Sequence, residues 1–84
     1  MIRQRVVVKR DFTSPDEALK LAEAASRFRA SLLLGSGGHW IDAKSRLGIM
    51  CLPIQKGSEV TLTAEGRDEV DAFHVMLQLL ESEF

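Results

Sequence analysis

Two serines stand where helices should begin, in "SPDEA" at residues 14–18 and in "SRLGIM" at residues 45–50. A hydroxyl in that place faces backbone N–H groups that no helical carbonyl satisfies. Such groups can be capped by the hydroxyl itself or can hold an anion, so phosphoryl chemistry is the first class to weigh. The first serine argues against it. Ser14 reads as an N-cap, Pro15 takes the first helical position, and Glu17 can reach back to complete a capping box. Asp16 and Glu17 suit the helix dipole but would repel an incoming phosphate. The second serine is different. Lys44 and Arg46 flank Ser45 as counter-charges for a phosphate.

Imidazole and thiol chemistry find less support. His39 falls in a glycine-rich hairpin and His74 in the last helical pattern, neither beside an acid and a cation. A metal would need His39, His74, Cys51 and a carboxylate to converge, and no ligand spacing predicts that. We therefore expect no metal and no cofactor. Cys51 lies in a short apolar pattern, where a free cysteine behaves as a small hydrophobe. As the only cysteine it cannot close an internal disulfide, which points to a reducing, cytoplasmic setting.

Composition narrows the rest. Eighty-four residues predict one domain, residues 1–84, with a modest core. A net charge of −1 gives no general pull toward nucleic acid or a membrane. No apolar run approaches the roughly 18 residues of a membrane span, and the N-terminus lacks the apolar core of a secretory signal. Arg3, Arg5, Lys9 and Arg10 precede the first acid, Asp11, whereas the charged residues within 65–84 are mostly acidic. Charge runs of that kind read as solvated faces.

The elements that must carry these residues follow from periodicity. Residues 2–9 alternate, with Ile2, Val6 and Val8 on one face, Gln4 a misfit among them, and Arg3, Arg5, Val7 and Lys9 on the other. A helix begins after Ser14, its apolar stripe formed by Ala18, Leu21, Ala22, Ala25 and Phe28, and ends near residues 27–29. "ASLLLGSGGHWIDAK" reads as a hairpin around "GSGG". With Ser36 and Gly37 at its tip, Leu32 faces Ile41 and Leu33 faces Trp40. Leu32, Leu34, Ile41 and Ala43 then share the core face, and Leu33 and Trp40 lie together on the other, beside Arg3 and Arg5. A short helix capped by Ser45 uses Leu47, Ile49, Met50 and Leu52 before Pro53 limits it. Residues 58–66 alternate as a strand. Asp68 caps a last helix with Val70, Phe73, Leu77 and Leu80 as its stripe and Met76 and Phe84 beside it. The order is βαββαβα. It predicts an α+β, open-faced β-sandwich: a four-stranded antiparallel sheet with helices on one face.

This order, and the stretch "DAKSRLGIMCLPIQKGSEVTLTAEGRDE" with Lys44-Ser45, Gly48, Met50, Leu52, Lys56-Gly57 and Gly66, resembles HPr. HPr is the histidine-containing phosphocarrier of the bacterial sugar phosphotransferase system. The family's active segment, Gly-[Ile/Leu]-His-[Ala/Thr]-Arg-Pro-Ala, falls on residues 12–18, where only Ala18 is kept. The phosphate-accepting histidine falls on Ser14 and its arginine on Asp16. A phosphoimidazole passes its phosphate on readily, whereas a phosphoserine ester is far more inert. No catalytic residue is therefore expected.

The resemblance implies a second role. In many family members the serine opening the short helix is phosphorylated by HPr kinase, and Ser45 matches it. An ester suits a mark that must persist. Leu47 and Met50 match apolar positions of the patch that HPr uses to dock partners, while Arg46 stands where an isoleucine or leucine is common. Crh-like members of the family lack the histidine, keep the serine and act in carbon catabolite repression. The implied function is thus a non-enzymatic regulator switched at Ser45, with Lys44, Arg46, Leu47 and Met50 meeting protein partners such as HPr kinase/phosphorylase or a transcriptional regulator. Two alternatives stay open. One is a phosphocarrier relaying through a non-standard site. The other is a structural module that dimerises through Leu33 and Trp40, a pair that could equally do no more than stabilise its own hairpin.

Overall fold

A computed structural model describes residues 1–82. The elements run β1 (Ile2–Val7), α1 (Pro15–Ser26), β2 (Ser31–Ser36), β3 (His39–Asp42), α2 (Arg46–Cys51), β4 (Glu59–Glu65) and α3 (Glu69–Glu81). The four strands form one antiparallel sheet in the order β1-β4-β2-β3. Its inner face and the helices enclose one apolar core.

Alternation decides which strand residues enter that core. Val6 of β1, Leu32 and Leu34 of β2, and Val60, Leu62 and Ala64 of β4 are buried on the inner face. Ala18, Leu21, Ala22 and Ala25 of α1 meet them, with Phe28 partly buried at the stripe's end. From α3 come Ala72, Phe73, Met76 and Leu80. Burying a Leu-sized side chain contributes about 1.5–3 kcal/mol, so Leu21, Leu32, Leu34 and Leu62 carry more of the core than the small alanines of α1.

Val8 and Phe12 are also buried, although they lie past the strand. Backbone bonds stitch this segment to the stretch before β4: Val8 N donates to Ser58 O, Gly57 N to Val8 O and Phe12 N to Ile54 O, each at 2.8 Å. Lys56 N adds a bond to the Asp11 carboxylate at 2.8 Å. Ser14 is thereby held at a fixed corner.

The hairpin differs from the sequence-based expectation. Its tip is Gly37-Gly38, with φ of 57° and 83°. Consecutive positive φ values are what a two-residue turn of this hand demands, and glycine adopts them without strain. Ser36 therefore pairs with His39, Gly35 with Trp40, Leu34 with Ile41 and Leu33 with Asp42. The shift is two residues, so every side chain keeps its face while its partner changes. Leu33 does not oppose Trp40, and Leu32 does not oppose Ile41.

The last helix also departs from expectation. Val70 is 56% exposed and lies off the core stripe, and Ala72 takes its place. Asp68 stands at the N-cap but makes no side-chain cap bond. Its carboxylate instead accepts from Arg29 N at 2.9 Å and Ala30 N at 2.8 Å, tying the end of α1 to the start of α3. These amides, Arg29's foremost, hold the Asp68 carboxyl below its ordinary range. The expected place of Phe84 lies outside the described residues.

Candidate functional site

The corner before α1 was the first phosphoryl candidate. Ser14 has extended backbone, φ −83° and ψ 152°, and its Oγ accepts from Glu17 N at 3.2 Å. The cap is therefore made. The reciprocal half of the capping box is replaced. The Glu17 carboxylate pairs with the Arg10 guanidinium and, at 3.4 Å, with Lys20 Nζ. Arg10, which also lies 5.3 Å from the Phe12 ring, offers a fork of donors that the Ser14 amide cannot match. Its hydrogen bond lowers the Glu17 carboxyl below its usual range. Arg10 is thus engaged by an internal acid. The turn carries Asp16 and Glu17 where a phosphoryl group would have to settle.

Ser45 occupies the equivalent place on α2. Its backbone is extended, φ −103° and ψ 115°, and its Oγ accepts from Gly48 N at 3.1 Å. Asp42 sets this start: its Oδ1 accepts from Lys44 N at 2.9 Å and its backbone carbonyl from Ser45 N at 3.0 Å. No acid stands in the first turn. The Lys44 ammonium does not reach toward the serine as expected. It donates to Phe28 O at 2.8 Å, where it satisfies a carbonyl left free past the end of α1.

The amphipathy of α2 settles which side is presented. Ile49 points into the core and Leu52 follows it inward. Leu47 is 68% exposed and Met50 41%, with Arg46 exposed beside them. Leu19 of α1 is another exposed apolar residue, and it lines a groove together with Arg46. Leu19 was invisible in the sequence because it sits within a helix whose neighbours Ala18 and Leu21 are core.

The other candidates separate. Cys51 is exposed, not packed as a small hydrophobe, because α2 turns it away from Ile49. It shares a groove with His39, Trp40 and Pro53. His74 lies on the exposed side of α3, edge-on to Phe73 with ring centroids 6.1 Å apart. Among the described residues no three His, Cys, Asp or Glu side chains are placed to share a metal. None of the described helices is long and apolar enough to cross a membrane.

On the outer sheet face, Trp40 is 45% exposed and lies against Gly35. Arg3 starts beside Thr63 and places its guanidinium carbon 5.5 Å from the Trp40 ring. Thr63 is only 5% exposed although it belongs to this face. The stacking contributes on the order of 0.5–1 kcal/mol at such a surface.

A family model described as "PTS HPr component phosphorylation site" matches residues 16–82, which is most of the sequence. The chain belongs to the HPr family. The HPr match begins at Asp16, two residues past Ser14. The chain is similar to the HPr-like protein Crh of Halalkalibacterium halodurans, with 32% identity over 84 residues, 99% of this chain and 100% of that relative. It is also similar to the crystal structure of HPr-C-His from Thermoanaerobacter tengcongensis. That likeness has a TM-score of 0.91 and 30% identity, and covers 100% of this chain and 96% of the other. A crystal structure of Bacillus subtilis Crh, described as a dimer with a swapping domain, is similar with a TM-score of 0.78 and 32% identity, covering 98% of both chains. The open-faced sandwich is therefore the HPr fold.

Proposed function

We propose that this chain is a non-enzymatic regulatory member of the HPr family, switched by phosphorylation of Ser45. One observation carries the reading. Ser45 caps α2 directly ahead of the exposed pair Leu47 and Met50, with no acid in the helix's first turn. A kinase would transfer the γ-phosphoryl of ATP to Ser45 Oγ, releasing ADP and the hydroxyl proton. The added dianion meets a positive dipole end and free amides, so it strengthens the helix start instead of breaking it. It also sets a charge beside the apolar patch, which changes what that patch can dock.

The partners this implies are proteins: an HPr kinase/phosphorylase that writes and erases the mark, and a transcriptional regulator that reads it. Lys44 would serve by fixing the loop before Ser45, while Arg46, Leu47 and Met50 make contact. The corner at Ser14 supports the same reading from the other side. Asp16 and Glu17 crowd its turn with negative charge, Arg10 is paired with Glu17, and a serine ester there would be too inert to pass phosphate on.

Incubation with HPr kinase and ATP, followed by mass spectrometry, tests the switch. Phosphate on Ser45 is expected, and none in Ser45→Ala. Equal incorporation in the two proteins ends the proposal. Treatment with phosphoenolpyruvate and Enzyme I tests the relay alternative, which alone predicts an acid-labile product.

A second reading rests on Trp40. An indole 45% exposed on the outer sheet face, which also carries Leu33 and the exposed Val7, fits a contact with a second copy. Relatives described as dimers, the Crh of Bacillus subtilis and an HPr of Thermoanaerobacter tengcongensis, give it company. Sedimentation of wild type and Trp40→Ala decides it: a monomer in both removes this reading.

A further inference from the structure

The chain neighbours of Ser45, Lys44 and Arg46, line a groove between α1 and α2 together with Leu19, Glu23, Ser26 and Arg27. Three of these side chains are cations and Glu23 is the only acid. Among the described residues none of the three cations is in an ion pair, since the pairs present are Met1 N-terminus–Glu69, Arg5–Glu59, Arg10–Glu17 and Lys20–Glu17. Lys44 has spent its ammonium on the Phe28 carbonyl. Arg27 and Arg46 therefore remain as two guanidinium groups on opposite helices, exposed and without a carboxylate. Like charges facing one groove repel, and Glu23 alone among the lining side chains opposes that repulsion.

We propose that the phosphate of phospho-Ser45 is held from within, bridged between Arg27 at the end of α1 and Arg46 at the start of α2. This rests on the Ser45 reading and adds what the mark does to the molecule. A guanidinium presents paired N–H donors that fit phosphate oxygens, and a phosphoserine dianion has enough oxygens to accept from two of them. The phosphate joins two helices that otherwise meet only through packing. At the same time it turns a groove with two unpaired positive charges into one with none. The unmodified form presents Arg27 and Arg46 to acidic partners, and the modified form withdraws them. Glu23, on α1 in the same groove, limits the pull, and the bond of Lys44 to the Phe28 carbonyl leaves the arginines as the holders.

Phosphoserine encoded directly at position 45 makes the test independent of any kinase. Failure of the kinase assay then leaves this result readable, and the reverse also holds. The readout is the second ionisation of the phosphate followed by 31P NMR across pH. An exposed phosphoserine titrates at about 6. Two flanking cations favour the dianion, so the encoded protein should titrate lower, and Arg27→Gln should raise the value by about half a unit. Arg46→Gln should act likewise. Arg29→Gln, an exposed cation outside the groove, should leave it unmoved. Arg27 is exposed at the C-cap of α1, so its substitution leaves the core intact. A titration unchanged by Arg27→Gln overturns the bridge, as does an equal shift from Arg29→Gln, which would mean diffuse attraction only.

Discussion

Trp40 lies so close over Gly35 that a β-carbon added to the glycine would sit 2.6 Å from Trp40 Cε3. The two residues face each other across β2 and β3. Gly35 has no positive φ to justify it, so its lack of a side chain serves the indole and not the backbone.

Gly35→Ala should therefore push the indole off the sheet and cost about 1–3 kcal/mol. Urea unfolding measures the loss, and the fluorescence of the single tryptophan reports the displacement. In a Trp40→Ala background the same change should cost much less, a coupling that a double-mutant cycle isolates. Additive costs would mean that the contact carries no weight.

Ser45→Ala should lose about 1 kcal/mol through the missing cap to Gly48 N. Ser45→Asp should keep that stability, because a carboxylate caps as well and suits the dipole. Thermal or urea unfolding of the three proteins checks the order. Equal stability of wild type and Ser45→Ala would remove the cap as the local role of this serine.

Acid should weaken the fold through three carboxylates. Asp68, Glu17 and Glu69 are all held below their ordinary values of 3.8, 4.5 and 4.5. Glu69 owes its shift mainly to the chain's N-terminal amine. For a lowered acid, the stabilisation is complete above the ordinary value and disappears as pH falls through the lower folded value. Unfolding midpoints should thus be flat above those ordinary values and drop below them. Asp68→Asn should flatten part of that drop and lower stability at neutral pH, because an amide has one oxygen for two donors, Arg29 N and Ala30 N. An acid limb of unchanged steepness in the variant would refute this share.

Ser14→His alone should not take phosphate from Enzyme I, because Asp16 and Glu17 stay in the turn and Arg10 stays paired. Ser14→His with Asp16→Arg and Glu17→Pro, which restores the family's His-x-Arg-Pro segment, should label more strongly. Acid-labile 32P incorporation compares them. Equal labelling of the single and triple variants would show that the acids are no obstacle.

Much of this was written in local periodicity. The strands and helices announce themselves because Val60, Leu62 and Ala64 alternate and Ala18, Leu21, Ala22 and Ala25 recur at helical spacing. The hairpin register did not, since "GSGG" offers tips one residue apart, which shift the pairing by two and leave every face unchanged. Only the demand for two consecutive positive φ values selects Gly37-Gly38. The partners of Glu17 and Asp68 were also hidden. Each had a plausible local donor, and each was drawn off by a better one that the fold brings near: Arg10 for Glu17, and the amides of Arg29 and Ala30 for Asp68. At Ser45 the local signal sufficed for the cap, which closes within one turn, but not for Lys44, whose ammonium the fold draws to the Phe28 carbonyl.

The strand order has a consequence for how the molecule is made. β4, the last strand in sequence, lies between β1 and β2. During synthesis β1 therefore has no strand to hydrogen-bond until residues 59–65 have followed it out. A nascent chain can zip its β2–β3 hairpin early, but β1 must wait, unprotected, until α1, that hairpin and α2 have all been made.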